Sequence, residues 1–446
     1  MAYEIILGRE EAEREKFGIL GTILLGKHYV QMGQTTALAQ NIYLDLNKAH
    51  VVFVCGKRGS GKSYLLGVMA EGIATLPEEY RSKIAVVMLD TMGIYWTMKY
   101  PNNKDEPLLK EWGLEGQGIP VKIFTPAGFF KKFKAEGIPT DRPFAIRPYE
   151  LSPEDWNLTF ELAPNEPLAV FIERVILTLK KDRDDYDIED ILDAIRADPR
   201  EEEHVKNAAI NRFRSVEAWG VFSREATPLR EIVRGGQITI LDLSPYAIMP
   251  NGWKIKHVVI GIVAEKLFME RMAVRKNEEF QSIHSAIHYL LTQEEEEEEK
   301  LRCRDMPIVW IMVDEAHEFL PAVGKTAATD ALITLLREGR QPGIALVMAT
   351  QQPGKIHTDA MTQSDIVLSH RLTAKVDTDA LGSIIQSYLR VGLDKELATL
   401  PRVAGACIAV DDVNERMYPM QVRPRFSWHG GGAPKIVEEK KKALEF

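Results

Sequence analysis

The chain of 446 residues reads as an α/β protein: a mostly parallel sheet with helices on both faces, interrupted by an all-helical insertion. Three observations predict this. In VVFVCGKRGSGKSY (Val51–Tyr64), a β-branched apolar run ends in a glycine loop and passes into a helical pattern. Further apolar runs at Ile84–Asp90, Gln237–Leu243, Ile308–Val313 and Ile344–Ala349 alternate with helical periodicities, the pattern of strands buried on both faces. Between them, residues 151–216 carry helix after helix and no strand.

Residues 1–50 start with an acidic helical segment and continue with alternating stretches at Thr22–Gly26 and Ile42–Leu46, expected to extend the edge of the sheet. The core opens over residues 51–150. After the glycine loop, Leu65, Leu66, Met69 and Ile73 recur at helical spacing, and Ile84–Asp90 ends in an acid. Pro101–Tyr149 reads as loops with one more strand near Val121–Phe124. The insertion begins at Ser152-Pro153-Glu154-Asp155, a hydroxyl cap followed by proline and acids in the first turn. Its apolar stripes are Leu168/Phe171/Val175/Leu179, Ile188/Ile191/Leu192/Ile195 and Val205/Ala209/Phe213/Val216, enough for three or four helices. The core resumes over 217–430 with the strand Gln237–Leu243, a helix through Val258–Met272, and two strands flanking a helix at Ala327–Arg337. Residues 431–446 are expected to form a flexible tail. The run Glu294–Glu299 is expected to be a solvated, self-repelling surface segment.

Apolar residues make up 45% of the chain and charged residues 27%, ample for a core. Cys55, Cys303 and Cys407 are too few and too scattered for a disulfide frame or a zinc site. No apolar run approaches the ~18 residues of a membrane span, and the first residues lack the pattern of a signal peptide. A soluble cytoplasmic protein with no membrane association is expected.

Gly56, Arg58, Gly59, Ser60, Gly61, Lys62, Ser63 and Tyr64 make up the expected nucleotide-binding loop. Such a loop turns backbone N–H groups inward, and the following helix adds its dipole, so phosphate is held there. Lys62 is placed to reach the outer phosphates of ATP, and the Ser63 hydroxyl to ligate Mg²⁺. At the end of the apolar strand Val309–Val313 stand Asp314 and Glu315, at the edge where open α/β sheets bind ligands. Asp314 suits the metal and Glu315 the polarisation of an attacking water. Thr350, Gln351 and Gln352 close the neighbouring strand, so a neutral polar group there can sense the γ-phosphate. Arg337 and Arg340 lie between helix and strand, placed either to reach a neighbour's nucleotide or to pair with Glu338.

Together, Gly56–Ser63, the DEAH segment (Asp314–His317), REGRQPG (Arg337–Gly343), ATQQP (Ala349–Pro353) and SDIVLSHRLTAKVDTDAL (Ser364–Leu381) resemble the HerA/FtsK superfamily of hexameric DNA-translocating ATPases, HerA-like members above all. The resemblance runs from about Ala49 to Arg425. It implies a RecA-like P-loop core and a homo-oligomer of six subunits, with ATP bound between neighbours and double-stranded DNA threaded through the pore. It further implies Glu315 as catalytic base, Lys62 on the phosphates, Arg340 as the trans-acting arginine and Gln351 as sensor. HerA works with the NurA nuclease in DNA-end processing, and the fifty residues before the loop are too few for the β-barrel domain that helps dock it. Loops at Asp90–Lys104 and Gly354–Thr358 would present Lys99, Lys104 and Lys355 to the DNA backbone, and a tail with Arg416, Arg423 and Arg425 would lie near the subunit interface. The net charge of −9 decides little, since a basic pore can sit inside an acidic ring. Two other readings compete: an ATP-gated assembly scaffold or switch, and a conjugation or packaging DNA pump.

Overall fold

The computed structural model describes residues 4–32, 35–287, 306–372, 374–384, 396–397 and 399–432. Among them, one sheet of 13 strands organises the molecule. Its strands are β1 (Ile5–Leu7), β2 (Thr22–Met32), β3 (Thr35–Asp45), β4 (Val51–Cys55), β5 (Ile84–Asp90), β6 (Val121–Pro126) and β7 (Arg142–Phe144). They continue with β8 (Ile238–Asp242), β9 (Ile308–Val313), β10 (Ile344–Thr350), β11 (Ile366–His370), β12 (Ala406–Asp411) and β13 (Arg416–Val422). The spatial order is β1-β3-β2-β13-β12-β11-β4-β10-β9-β5-β8-β6-β7. From β11 to β7 every pairing is parallel. From β11 outward through β12, β13, β2 and β3 every pairing is antiparallel, and β1 closes that wing parallel to β3.

Both faces of the parallel half are covered, which is why its strands read as continuous apolar runs. Alternate residues point to opposite faces. Val52 and Val54 pack with Leu65, Leu66, Met69 and Ile73 of the helix Lys62–Ala74. Phe53 and Cys55 face the other layer, where Trp156, Phe171, Ile191 and Phe213 of the insertion join the same core. The insertion comprises four helices, Pro153–Thr159, Pro167–Asp182, Ile188–Ala197 and Glu203–Glu217, and it is packed onto the sheet by its own apolar stripes. Ser152 starts it as a capping box: its hydroxyl accepts from Asp155 N–H at 3.1 Å, and Asp155 accepts from Ser152 N–H at 2.7 Å.

The expected edge segments are longer than the sequence pattern indicates, forming 11-residue strands β2 and β3. The strands β1 and β7 are three residues each, too short to show a period of two. The helix expected over Val258–Met272 runs from Gly252 to Ile287. Glu294–Glu299, Cys303 and residues 433–446 lie outside the described residues. Cys55 and Cys407 are buried as free thiols, and burial pushes Cys55 up to about 12. Among the described residues, no helix is long and apolar enough to cross a membrane.

Candidate nucleotide site

The site gathers at the carboxyl ends of four adjacent strands, β11, β4, β10 and β9. Leaving β4, the chain turns through Gly56, Gly59 and Gly61, all at positive φ (155°, 75° and 114°). A Cβ on Gly56 would lie 2.6 Å from both the His370 Cβ and the Ser60 Oγ, so glycine is required for the loop to close against β11. The loop is further pinned by Lys57 N–H donating to the Arg371 carbonyl (3.2 Å) and Gly405 N–H donating to the Ser60 carbonyl (3.1 Å). Gly61 leads into the helix Lys62–Ala74, whose first N–H groups have no intrahelical acceptor. Lys62 is buried and donates to the Lys57 carbonyl at 3.1 Å. Burial pulls its pKa below the usual lysine value, against the opposing fields of Glu315 and Asp314.

The register of β9 beside β10 sets the acids next to the loop. Asp314 is buried; its Oδ1 accepts from Glu315 N–H (2.9 Å) and its Oδ2 from the Tyr95 hydroxyl (3.2 Å). Glu315 sits in the left-handed region at φ 51°, ψ 44°, a conformation that costs a non-glycine residue free energy and recurs at functional sites. Its Oε1 accepts from Gln351 Nε2, which brings the acid and the expected sensor into contact. Burial raises the Glu315 pKa; the Gln351 contact and Lys62 oppose that shift, while Asp314 adds to it. His317 lies 3.6 Å from Glu315 and shares a 3.1 Å hydrogen bond with the Thr350 hydroxyl.

The donor set fits a magnesium nucleotide. A glycine cradle opens onto a helix N-terminus, a buried lysine lies in the field of two carboxylates, and Ser63 follows that lysine directly. Among the described residues, three buried side-chain atoms here have no hydrogen-bond partner: Ser60 Oγ, Glu315 Oε2 and His370 Nε2. Unpaired buried polar atoms are costly, and at the mouth of the glycine loop these three can be satisfied by a polar ligand.

Other expected residues are placed differently. Arg58 is exposed on the loop. The Tyr64 hydroxyl accepts from Arg425 N–H, and its ring meets His429 edge-on at 5.2 Å. Arg340 is exposed and precedes β10, at the amino end of that strand, with no ion-pair partner among the described residues. Arg337 pairs with Asp359 (2.6 Å) in place of Glu338. Lys99 is held by Asp141 at 2.8 Å, whereas Lys104 and Lys355 are exposed. Arg423 and Arg425, expected in a tail near a subunit interface, are buried within the chain against Glu71. Among the described residues these two guanidiniums are the ion-pair partners of Glu71, on the buried face of the loop helix.

The sequence assigns Glu71 no role, and it holds Tyr95 and His370 only as members of the stretches Asp90–Lys104 and Ser364–Leu381. Glu71 had a signal, being a lone acid inside the apolar run LLGVMAEGIA. Gly67 and Gly72 flank it, and a Cβ on Gly67 would lie 2.5 Å from the Arg425 guanidinium. Tyr95 and His370 carry no pattern of their own; only the sheet order brings them to the site.

Residues 25–252 match the family described as helicase HerA, central domain, which is 228 of the 446 residues. The chain belongs to this family. The matched stretch holds the phosphate loop and the helical insertion and stops short of Asp314. Curated relatives include the DNA double-strand break repair helicase HerA of Pyrococcus furiosus, 29% identical over 160 residues (33% of this chain, 26% of the relative). Another is the probable DNA double-strand break repair helicase HerA of Methanocaldococcus jannaschii, 25% identical over 218 residues (46% and 40%). The HerA-like chain thus spans well under half the length of these relatives. Among solved structures, VirB4 of Thermoanaerobacter pseudethanolicus shares the fold with a TM-score of 0.52 at 12% identity, covering 90% of this chain and 96% of that one.

Proposed function

We propose that this HerA-family chain hydrolyses Mg-ATP and uses the reaction to move double-stranded DNA, working as a hexameric ring with ATP at each subunit interface. The observation that carries the reading is the convergence of Lys62, Asp314, Glu315 and Gln351 at the carboxyl ends of three adjacent strands. Backbone N–H groups of Gly56–Ser63 and the Lys62 ammonium hold the phosphates. Ser63 and Asp314 hold Mg²⁺, which when bound neutralises phosphate charge. Glu315 takes the proton of a water attacking the γ-phosphorus in line as the bond to the β-phosphate oxygen breaks, and Gln351 orients that water and senses the phosphate.

Arg340 supports assembly. The seven residues of β10 separate it from the site, and at ~3.3 Å per residue this is roughly 20 Å. An arginine so placed is too far to serve its own nucleotide, which leaves it available to a neighbour's. DNA contact falls to Lys104 and Lys355, through phosphates and without sequence preference. The relatives' names suggest double-strand break repair as the setting, and a nuclease partner is what the HerA resemblance implies.

The Lys99–Asp141 pair favours a second reading, since it takes a cation away from the DNA face: an ATP-gated scaffold working through a protein partner. Steady-state ATP hydrolysis with and without linear duplex DNA separates the two. For the motor, duplex raises the rate several-fold, and Glu315→Gln binds ATP but turns over at least ~10²-fold more slowly. Hydrolysis indifferent to DNA overturns the motor and leaves the scaffold.

A further inference from the structure

The loop that leaves β5 is built around one buried carboxylate. Asp90 Oδ1 accepts from the N–H groups of Met92 (3.3 Å), Gly93 (2.7 Å) and Ile94 (3.2 Å), and Oδ2 from Tyr95 N–H (2.9 Å). Gly93 makes that turn possible: it sits at φ 68°, and a Cβ there would lie 2.7 Å from the Ser244 Oγ. Tyr95 is thereby driven into the core, 2% exposed, with its hydroxyl 3.2 Å from Asp314 Oδ2. The other Asp314 oxygen is taken by Glu315 N–H. Each oxygen of this carboxylate therefore receives one donor and keeps a lone pair free, and its plane is set from both sides.

The far end of the same loop is also tied down. Trp428 N–H donates to the Tyr100 carbonyl (2.8 Å), Thr97 Oγ1 donates to the Trp428 carbonyl (3.0 Å), and Asn102 N–H donates to the Phe426 carbonyl (2.9 Å). Phe426 and Ser427 in turn donate N–H groups to Glu71 on the helix that follows the phosphate loop. One loop thus touches the acid of β9 through Tyr95 and the phosphate-loop helix through the 426–428 segment.

We propose that Tyr95 is a positioning residue for metal binding: its hydroxyl orients Asp314, and through it the β5 loop governs how tightly the site couples Mg²⁺ to nucleotide. The inference rests on the reading in which Asp314 holds the metal. A phenol donating to a carboxylate fixes the direction of the lone pairs without itself touching metal, as outer-shell partners of metal ligands do.

The test measures binding of a fluorescent ADP analogue to the full chain, with Mg²⁺ and with EDTA, for wild type and Tyr95→Phe. Wild type binds more tightly with Mg²⁺. In Tyr95→Phe that tightening falls about five- to tenfold, the loss of one charge-assisted hydrogen bond, while affinity in EDTA stays within about twofold. Full metal tightening in the variant overturns the inference and leaves the ATPase reading standing. An equal loss in EDTA and in Mg²⁺ also overturns it, assigning Tyr95 a purely structural role. Failure of wild type to bind nucleotide, or to respond to Mg²⁺, sinks the ATPase reading and the inference with it. Should Tyr95→Phe fail to fold, Asp90→Asn carries the same test: it loosens the N–H contacts that place Tyr95, with an expected loss of about threefold in metal tightening.

Discussion

The two ends of the phosphate-loop helix treat buried polar groups in opposite ways. At its amino end, Ser60 Oγ, Glu315 Oε2 and His370 Nε2 are buried without hydrogen-bond partners among the described residues, and Glu315 is in a left-handed backbone conformation. At its far end, Glu71 is fully buried and completely satisfied. It accepts from Arg423 (2.8 Å), Arg425 (3.1 Å), the N–H groups of Phe426 (3.3 Å) and Ser427 (3.0 Å), and the Ser427 hydroxyl (2.6 Å). A second satisfied network lies under the antiparallel wing, where Arg9 and His50 share Asp45, and His50 also reaches Asp365. The Asp45 and Glu71 networks use buried charge to fasten distant parts of the chain. The site leaves buried polarity open, which costs stability and prepares a place for a charged ligand.

The largest effect expected from this contrast is at Glu71. Replacing it with alanine strands two guanidiniums that are 3% and 0% exposed, and breaking a buried pair from one side costs about 3–5 kcal/mol. Some of the loss is moderated because Arg423 also donates to the Leu24 and Val68 carbonyls. Denaturant unfolding of Glu71→Ala against wild type checks this. A loss below about 1 kcal/mol would mean that the Glu71 network fastens nothing and that the contrast with the site is false.

The second test uses pH. Burial pulls the His50 pKa down, but hydrogen bonds and charge from Asp365 and Asp45 outweigh it and hold the group up at about 9, from 6.5. The folded value lies above the unfolded one, so its stabilisation is complete below pH 6.5 and is lost as pH rises through 9. The amount is on the order of 3 kcal/mol. Asp45 acts in the other direction: burial raises its pKa, but His50 and Arg9 lower it further, so its share is lost as pH falls through the acid range. Asp90, raised to about 7 by burial and by Asp242, also sheds stability as pH rises, in wild type and variant alike. The difference between wild type and His50→Gln, followed from pH 5 to 9.5 by denaturant unfolding, isolates His50. It should shrink steadily above pH 6.5; a flat difference would show that the imidazole is neutral in the fold.

How much of this was legible in the sequence follows the same division. The phosphate loop, Asp314, Glu315 and Gln351 could be placed because each closes a strand of local, continuous apolar character, and the parallel sheet delivers strand ends to one edge. The insertion was legible because helical stripes such as Ile188, Ile191, Leu192 and Ile195 are periodic over short distances. The wing was not. Glu71 and Arg425 are 354 residues apart, as are neither strand ends nor members of one motif, and nothing local pairs an acid on a helix with an arginine beyond β13. Tyr95 shows the same limit at the site itself, since its partner lies 219 residues on and only the adjacency of β5 and β9 joins them.

The smallest effect is the one most particular to the site. Glu315→Gly should raise stability by about 1 kcal/mol while abolishing hydrolysis, because glycine adopts φ 51° without the Cβ penalty. The substitution also removes a carboxylate that burial disfavours in its charged form and whose Oε2 accepts no hydrogen bond among the described residues. Against this stand the lost hydrogen bond from Gln351 and the weaker field on Lys62, each partly replaced: Gln351 is half-buried and can turn to water, and Asp314 remains beside the lysine. Denaturant unfolding of Glu315→Gly beside wild type, without nucleotide, reads the balance. A gain places the strain of this sheet end where the chemistry needs it. A loss comparable to that at Glu71 would show Glu315 to be held as firmly as the buried pairs of the wing, and the unpaired atoms around it would then need another explanation than readiness for a ligand.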